Sequence, residues 1–326
     1  MPPITTPGRT LRPRPVLPAL LALLLPAAAP LASRAEASPP PLRFVVITKV
    51  GHPWYEVVRG GAEAAAAMIQ RQSGARATIE YRAPARAEVS AQAALLAAAI
   101  RSQPTGITID LLDATRLQPL LEQARRQGIA VNVFDSEPPA GLPLTSIGND
   151  FCQQARIASE RLVQLLGGQG EVAIMQGVPT APNHAIRVRC HREVFARHGG
   201  IRVVATPIDN DSIASAEQQA LATMREHPQL RGWVVADAGG GIGVGRAIRS
   251  LGRTGTVKVV ALDDLPEQLE LIRNGVVDSS AATQPRAQGY WAVVNLWQQR
   301  LGAPAIERID TGIAVHGISG NPAPGP

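Results

Sequence analysis

Short β-branched runs alternate with alanine- and leucine-rich stretches along most of the chain. The run 43–48 predicts a strand and 54–72 a helix. Strands follow at 77–81, 106–110 and 129–134, with helices over 88–101 and up to 127 between them. The second half repeats the scheme at 171–176, 201–206, 233–236, 257–262 and 276–281, each run with a helical stretch beside it. Strands separated by helices of this length signal βαβ units and parallel sheets. The runs are apolar on both faces, as strands covered on both sides are. They are too many for one compact sheet, and 138–143 is rich in Pro and Gly. The pattern therefore predicts two similar α/β lobes.

The length of 326 residues suits two domains. With 45% hydrophobic and 18% charged residues a disordered chain is excluded. Aromatics are only 3%, so alanine and leucine must fill most of the core. The formal charge of +6 is inflated by Arg9, Arg12, Arg14 and Arg34 near the start; without them and Glu36, 28 basic and 25 acidic residues leave +3. No block of five like charges exists, so a nucleic-acid footprint is not supported. Lys49 and Lys258 are the only lysines, which reads as compositional bias towards arginine.

Residues 1–37 have the three parts of a secretory signal peptide. Arg9, Arg12 and Arg14 precede an apolar stretch, 16–29, and Ala35-Glu36-Ala37 is a small-x-small cleavage site. The apolar stretch is short of the ~20 residues needed to span a bilayer, and Pro18, Pro26 and Pro30 interrupt it. No cysteine precedes Cys152, so no lipid anchor is expected. The expected product starts near Ser38 and is a soluble monomer in the periplasm, or secreted. Cys152 and Cys190 are the only cysteines. They read either as one disulfide or as two separately buried thiols, and their positions in sequence do not decide between these.

Four strands end in a carboxylate: Asp110, Asp135, Asp237 and Asp263. Ligands of open α/β sheets bind beyond the carboxyl ends of the strands. Two lobes facing each other would bring all four to one cleft, although each alone also reads as a helix N-cap. Trp54 and Tyr55 follow the first strand and are two of only eleven aromatics. At a cleft mouth they would stack on a sugar face or hold a cation; otherwise they pack under the first helix. The cluster 239–245 has five glycines but not the G-x-G-x-x-G spacing, and reads as close helix–sheet packing with a backbone approach to ligand. His184, His191 and His198, spaced by seven, read as a solvated stripe. No P-loop, zinc pattern, G-x-S-x-G elbow or nucleophile–base set occurs, so neither a cofactor nor catalysis is expected.

The layout resembles the type I periplasmic binding proteins, in particular their ribose/galactose-type sugar-binding branch, over residues 42 to about 318. The landmarks come in order: the loop His52-Pro53-Trp54-Tyr55; Ile129 to Asp135; Ser146-Ile-Gly-Asn149-Asp150; Trp233 to Asp237; Val259 to Asp263-Asp264; and Ala282-Thr-Gln284-Pro285. The resemblance implies two Rossmann-like lobes with parallel sheets, joined by three crossovers. The N-terminal lobe would hold 42–147 plus 285–310 and the C-terminal lobe 148–284 plus 311–326. It implies a binding protein for a sugar or polyol that serves an ABC importer, with ligand contacts from His52, Trp54, Tyr55, Asp110, Asp135, Asn149, Asp237, Asp263 and Gln284. The family's pocket arginine falls on Arg187 or Arg189, with Arg187 favoured. Ser136 stands where ribose binders often carry arginine, which leaves the pocket acidic. A second function is therefore carried: a sensor-partner that binds a small amine, like the trimethylamine-oxide branch of this fold, and signals to a membrane histidine kinase.

Overall fold

The structure is a computed structural model that describes residues 39–317, together with the isolated positions 3 and 8. The leader expected over 1–37 and the end of the second lobe, 318–326, lie outside this described stretch. In chain order the elements are β1 (Leu42–Ile47), α1 (Pro53–Ser73), β2 (Ala77–Arg82), α2 (Val89–Arg101), β3 (Gly106–Ile109), α3 (Ala114–Arg126), β4 (Ala130–Phe134) and β5 (Thr145–Gly148). Then come α4 (Phe151–Leu165), β6 (Gln169–Met175), α5 (Pro182–Ala196), β7 (Gly200–Ala205), α6 (Ile213–Glu226), β8 (Leu230–Val235), α7 (Ala238–Ser250) and β9 (Lys258–Leu262). The chain continues with α8 (Pro266–Arg273), β10 (Ser279–Ala282), α9 (Pro285–Arg300), β11 (Arg308–Asp310) and β12 (Ala314–Gly317).

Two six-stranded sheets result, ordered β11-β5-β4-β3-β1-β2 and β12-β10-β9-β8-β6-β7. All pairings are parallel except β12 on β10. The chain passes from one sheet to the other after β5, after β10 and between β11 and β12. These are the three crossovers of two Rossmann-like lobes. Parallel strands in register bring their carboxyl ends level: Ile47 of β1 lies opposite Ile109 of β3, and Met175 of β6 opposite Val235 of β8. The residues that follow these strands therefore gather at one edge of each sheet.

Most predicted strands recur within a residue or two. The short strands β5, β11 and β12 were not predicted as strands. They hold only three or four residues each, too few for a β-branched run to stand out. The strand expected from 276 begins at Ser279 because Gly275 takes a left-handed turn and the chain from Val276 to Asp278 carries no strand. The glycines of α7 pack as the pattern suggests: a Cβ on Gly241 would lie 2.6 Å from the Ala261 Cβ, so α7 rests directly on β9. Among the described residues no helix is long and apolar enough to cross a membrane.

Candidate functional site

The carboxyl ends of both sheets border a small cavity lined by Lys49, His52, Trp54, Tyr55, Asp135, His184, Arg187, Asp211, Asp237, Ala238 and Asp263. Its walls come from the loops after β1, β4, β7, β8 and β9 and from α5. A larger hollow lies between Ile129–Val131, the Pro138–Thr145 loop and Ala303–Glu307. That hollow sits at the amino ends of β4, β5 and β11, where parallel sheets do not place ligands.

Two aspartates stand at matching places in the two lobes. Asp135 follows β4 and Asp263 follows β9, and both adopt the left-handed region, with φ of 40° and 62°. Asp tolerates this better than most side chains, but it is still a costly backbone, held by its surroundings. Asp135 Oδ2 accepts a hydrogen bond from Asn183 at 2.7 Å, and Asp135 Oδ1 takes one from Arg187 Nη2 at 3.4 Å. Asp263 Oδ1 accepts from the Thr283 backbone N–H at 2.9 Å and from its hydroxyl. Burial pushes the Asp263 carboxyl up, while Thr283 and Arg187 pull it down.

Arg187 settles which arginine faces the pocket. It is 2% exposed, whereas Arg189 points to solvent and pairs with Glu193 on its own helix. The Arg187 guanidinium lies over the Phe151 ring, 5.0 Å from its centroid. It donates to Gln154 Oε1 at 2.9 Å and to the Ala236 carbonyl at 3.1 Å. Ser136 is fully buried and supplies no charge; the fork of donors comes from α5 instead.

Lys49 corrects the reading of the lysines as mere composition. It is 1% exposed, its Nζ lies 2.5 Å from Asp110 Oδ2 and 4.0 Å from Asp135 Oδ2, and it borders the cavity. The signal was present: one of two lysines stands two residues beyond the first strand. Asp110 itself is fully buried behind Lys49 and Tyr55, whose hydroxyl donates to it at 2.8 Å, and does not border the cavity. Burial raises its carboxyl to about 8, against the pull of Lys49. Tyr55 is pushed up as well, by burial first and then by Asp110, Asp211 and Asp135.

Trp54 is a cavity-wall residue and a packed one at once. It is 4% exposed, meets Tyr55 edge-on at 5.1 Å, and its Nε1–H donates to Thr283 Oγ1 at 3.0 Å. His52 caps α1, with its Nδ1 accepting the Trp54 N–H at 3.2 Å. A ring that accepts at Nδ1 carries its proton on Nε2, and that atom has no partner among the described residues.

Further corrections concern three other expectations. His184 and His191 are buried, not solvated; only His198, paired with Glu160 at 3.1 Å, is partly exposed. His184 lines the cavity and accepts the Val178 N–H at 2.9 Å; burial, then Lys49 and Arg187, hold it well below the usual histidine range. Seven-residue spacing marks a shared helix face but not which face, and here it is the inner one. Gln284 is half-buried at the start of α9 and off the cavity; its neighbour Thr283 makes the contacts. Asn149 is fully buried but bonds Gln154 and the Asp150 carbonyl, a structural role at the first crossover.

The C-terminal wall holds what the sequence reading missed most. Asp211, left-handed with φ of 60°, lines the cavity beside Asp237, and Asp209 lies behind them. Asp237 caps α7 through Oδ1 on the Gly240 N–H, while its Oδ2 and Asp209 Oδ2 have no partner among the described residues. Burial raises Asp211 to about 6, with Asp237 adding to it and His52 and Lys49 opposing. Burial and the facing Asp237 push Asp209 up too. The one cluster of metal-type side chains among the described residues is Cys152, Cys190 and Glu193, and both its sulfurs are joined in a disulfide. That bond resolves the alternatives left open for the cysteines.

A family model described as "Periplasmic binding protein domain" matches residues 44–304. The chain belongs to this family of periplasmic binding proteins. It is 28% identical over 202 residues to a D-ribose/D-allose-binding protein of Pseudomonas aeruginosa, covering 60% of this chain and 62% of that protein. It is 25% identical over 233 residues to a xylose/arabinose-binding protein of Sulfolobus acidocaldarius, covering 66% and 57%. The matches thus span about three fifths of the length of these curated relatives. The crystal structure of an ABC transporter solute-binding protein from Burkholderia graminis, in complex with D-arabinose, superposes with a TM-score of 0.78 at 28% identity, over 85% of this chain and 95% of that one.

Proposed function

We propose that this chain captures a monosaccharide or sugar alcohol between its lobes and delivers it to a membrane ABC permease, in the periplasm after loss of the leader at 1–37. The observation that carries the reading is the charge arrangement at the cavity: Lys49 and Arg187 border it and both approach Asp135, while Asp110 backs Lys49 from behind. Such an array presents fixed donors and acceptors to hydroxyl groups and leaves that end little need for a cationic guest. Trp54 offers an apolar edge beside it. The relatives' named ligands, ribose, allose, xylose and arabinose, are aldoses. The amine-sensing alternative loses its main support, because the cavity already contains two cations and no relative described above is named for an amine.

The test is a thermal-shift panel of D-ribose, D-allose, D-xylose, D-arabinose, xylitol and methylated amines, at low and high salt. A sugar or polyol response that changes little with salt is expected. A response to an amine alone, fading as salt screens the acidic wall, would overturn the reading.

A further inference from the structure

We propose that the Cys152–Cys190 disulfide is a positioning device for Arg187: it fixes α5 on α4 so that the guanidinium stays aimed at Asp135. The significance of this for ligand rests on the sugar-binding reading above; the positioning itself does not.

Cys152 sits in the first turn of α4, between Phe151 and Gln154, and these two side chains are what hold Arg187. Cys190 stands three residues beyond Arg187 on α5, one helical turn along the same face. The bond, with Cα atoms 5.4 Å apart, therefore ties the platform to the helix that carries the arginine, next to the contact it controls. Gln154 is itself locked, donating to the Ala281 carbonyl at 2.8 Å and accepting from Asn149 at 3.1 Å. Platform and disulfide form one rigid frame.

Arg187 needs such a frame because its last reach is long. Its hydrogen bond to Asp135, the link from α5 to the loop after β4, spans 3.4 Å, near the limit at which a hydrogen bond still counts. A displacement of α5 by a few tenths of an ångström breaks it. Asn183, on the same helix, donates to the other oxygen of Asp135 at 2.7 Å, so a shift of α5 disturbs both donors. Ser159 and His191 tie the two helices further along, 2.6 Å apart, which holds the pair together but away from the end that faces the cavity.

A crosslink between residues 38 apart also stabilises a fold by restricting its unfolded chain, so a lower melting temperature alone says nothing about positioning. The deciding measurement is local and needs no ligand. In ¹⁵N-labelled protein the Arg187 Nε–H signal is assigned by its loss in Arg187→Lys, and its exchange with solvent is compared between wild type and the Cys152→Ala/Cys190→Ala variant. We expect exchange at least ~10-fold faster in the variant while the β6 and β8 amides keep their protection, a local opening rather than a global one. Unchanged Nε–H exchange overturns the proposal. If the alanine pair does not fold, the oxidised wild type is reduced with a phosphine, which converts the disulfide to two thiols, and measured directly. Titration with D-ribose, D-allose, D-xylose and xylitol forms the second arm. Whichever sugar wild type binds should bind roughly 10-fold more weakly without the disulfide, and within twofold when Arg187→Gln is already present, because residues in one network couple. Equal losses in both backgrounds overturn the proposal; wild type binding none of the four counts against the sugar reading, and the exchange result still decides the positioning.

Discussion

The two ends of the cavity solve the problem of buried charge differently. At the N-terminal end each carboxylate has a cation or donor set: Asp110 has Lys49 and Tyr55, and Asp135 has Arg187, Asn183 and, more distantly, Lys49. At the C-terminal end Asp209, Asp211 and Asp237 have no ion pair among the described residues. The lobes share a topology, so the difference can be traced to single positions. Lys49 stands two residues beyond β1; Gly177 stands two residues beyond β6, its counterpart. A side chain there is barred, since a Cβ on Gly177 would collide with the His184 ring and lie 2.7 Å from Asp237 Oδ2. The first lobe thus carries one counter-charge of its own, Lys49, and Asp135 draws its remaining donors, Arg187 and Asn183, from α5 of the second lobe. The second lobe leaves its carboxylates to be satisfied by protons or by a guest's hydroxyl groups.

The comparison is most sharply tested by removing one charge from each end. Arg187→Gln leaves Asp135 buried with a weaker set of donors, and breaking a buried pair this way costs about 3–5 kcal/mol. Affinity for whichever sugar wild type binds should fall ~100-fold or more in calorimetric titration. Asp237→Asn deletes an uncompensated charge and keeps an acceptor that caps α7, so it should change affinity by less than about threefold. Similar losses from both would mean that the ends do not differ as described.

Lys49→Met probes the first end from its other side. The variant keeps the stem packed but removes the cation, and a stranded carboxylate would ordinarily cost several kcal/mol. Asp110, raised to about 8 by burial even with Lys49 in place, already holds its proton at pH 6. The loss of stability in urea should therefore be only about 1–2 kcal/mol at pH 6 and larger at pH 9, where deprotonation is demanded. A pH-independent loss would show that Asp110 stays charged throughout.

Trp54 joins the two ends, since it stands in the first turn of α1 in the first lobe and donates to Thr283, whose hydroxyl in turn donates to Asp263. Trp54→Phe keeps an apolar ring and loses the hydrogen bond, an expected cost of about 1 kcal/mol in affinity. Trp54→Ala should cost about 1–2 kcal/mol if the ring stacks on the ligand. Equal losses would make the hydrogen bond the whole contribution.

What could be read from sequence follows the same division. The strand–helix alternation and the carboxylates ending β4 and β9 were legible because both follow from short-range pattern and topology. Seven of the ten expected site residues border the cavity: His52, Trp54, Tyr55, Asp135, Arg187, Asp237 and Asp263. The failures were of another kind. Lys49 looked like composition because its role depends on Asp110, sixty-one residues away. Asp209 and Asp211 lie in the β7–α6 loop, outside any strand end, and only the fold of that loop back onto Gln176 brings them in. Gln284 and Thr283 differ by one position at the start of α9, a register that pattern does not fix. The buried histidines show the same limit, since spacing gives a face but not what covers it.

The smallest expected effect concerns Asp211, and its sign can be worked out. Its carboxyl stands at about 6 in the folded chain, above the roughly 3.9 of an unfolded one. The folded state therefore binds more protons between these values, and stability falls as pH rises through that window. The contribution is fully present below about pH 3.9 and lost above about 6. Asp211→Asn removes the titration, so the gap between its melting temperature and that of wild type should widen in its favour by about 2–4 °C from pH 5 to pH 7.5, the size of shift that roughly 1 kcal/mol gives in a domain this large. The groups that face Asp211 (Asp237, His52, Lys49 and Asp135) are unchanged in the variant, so the difference between the two curves isolates one carboxyl. Curves that run parallel from pH 5 to 7.5 would mean that Asp211 is ionised at both ends of the range. Its charge would then have to be balanced across the cavity by Lys49, and the second lobe would depend on the first for its counter-charge after all.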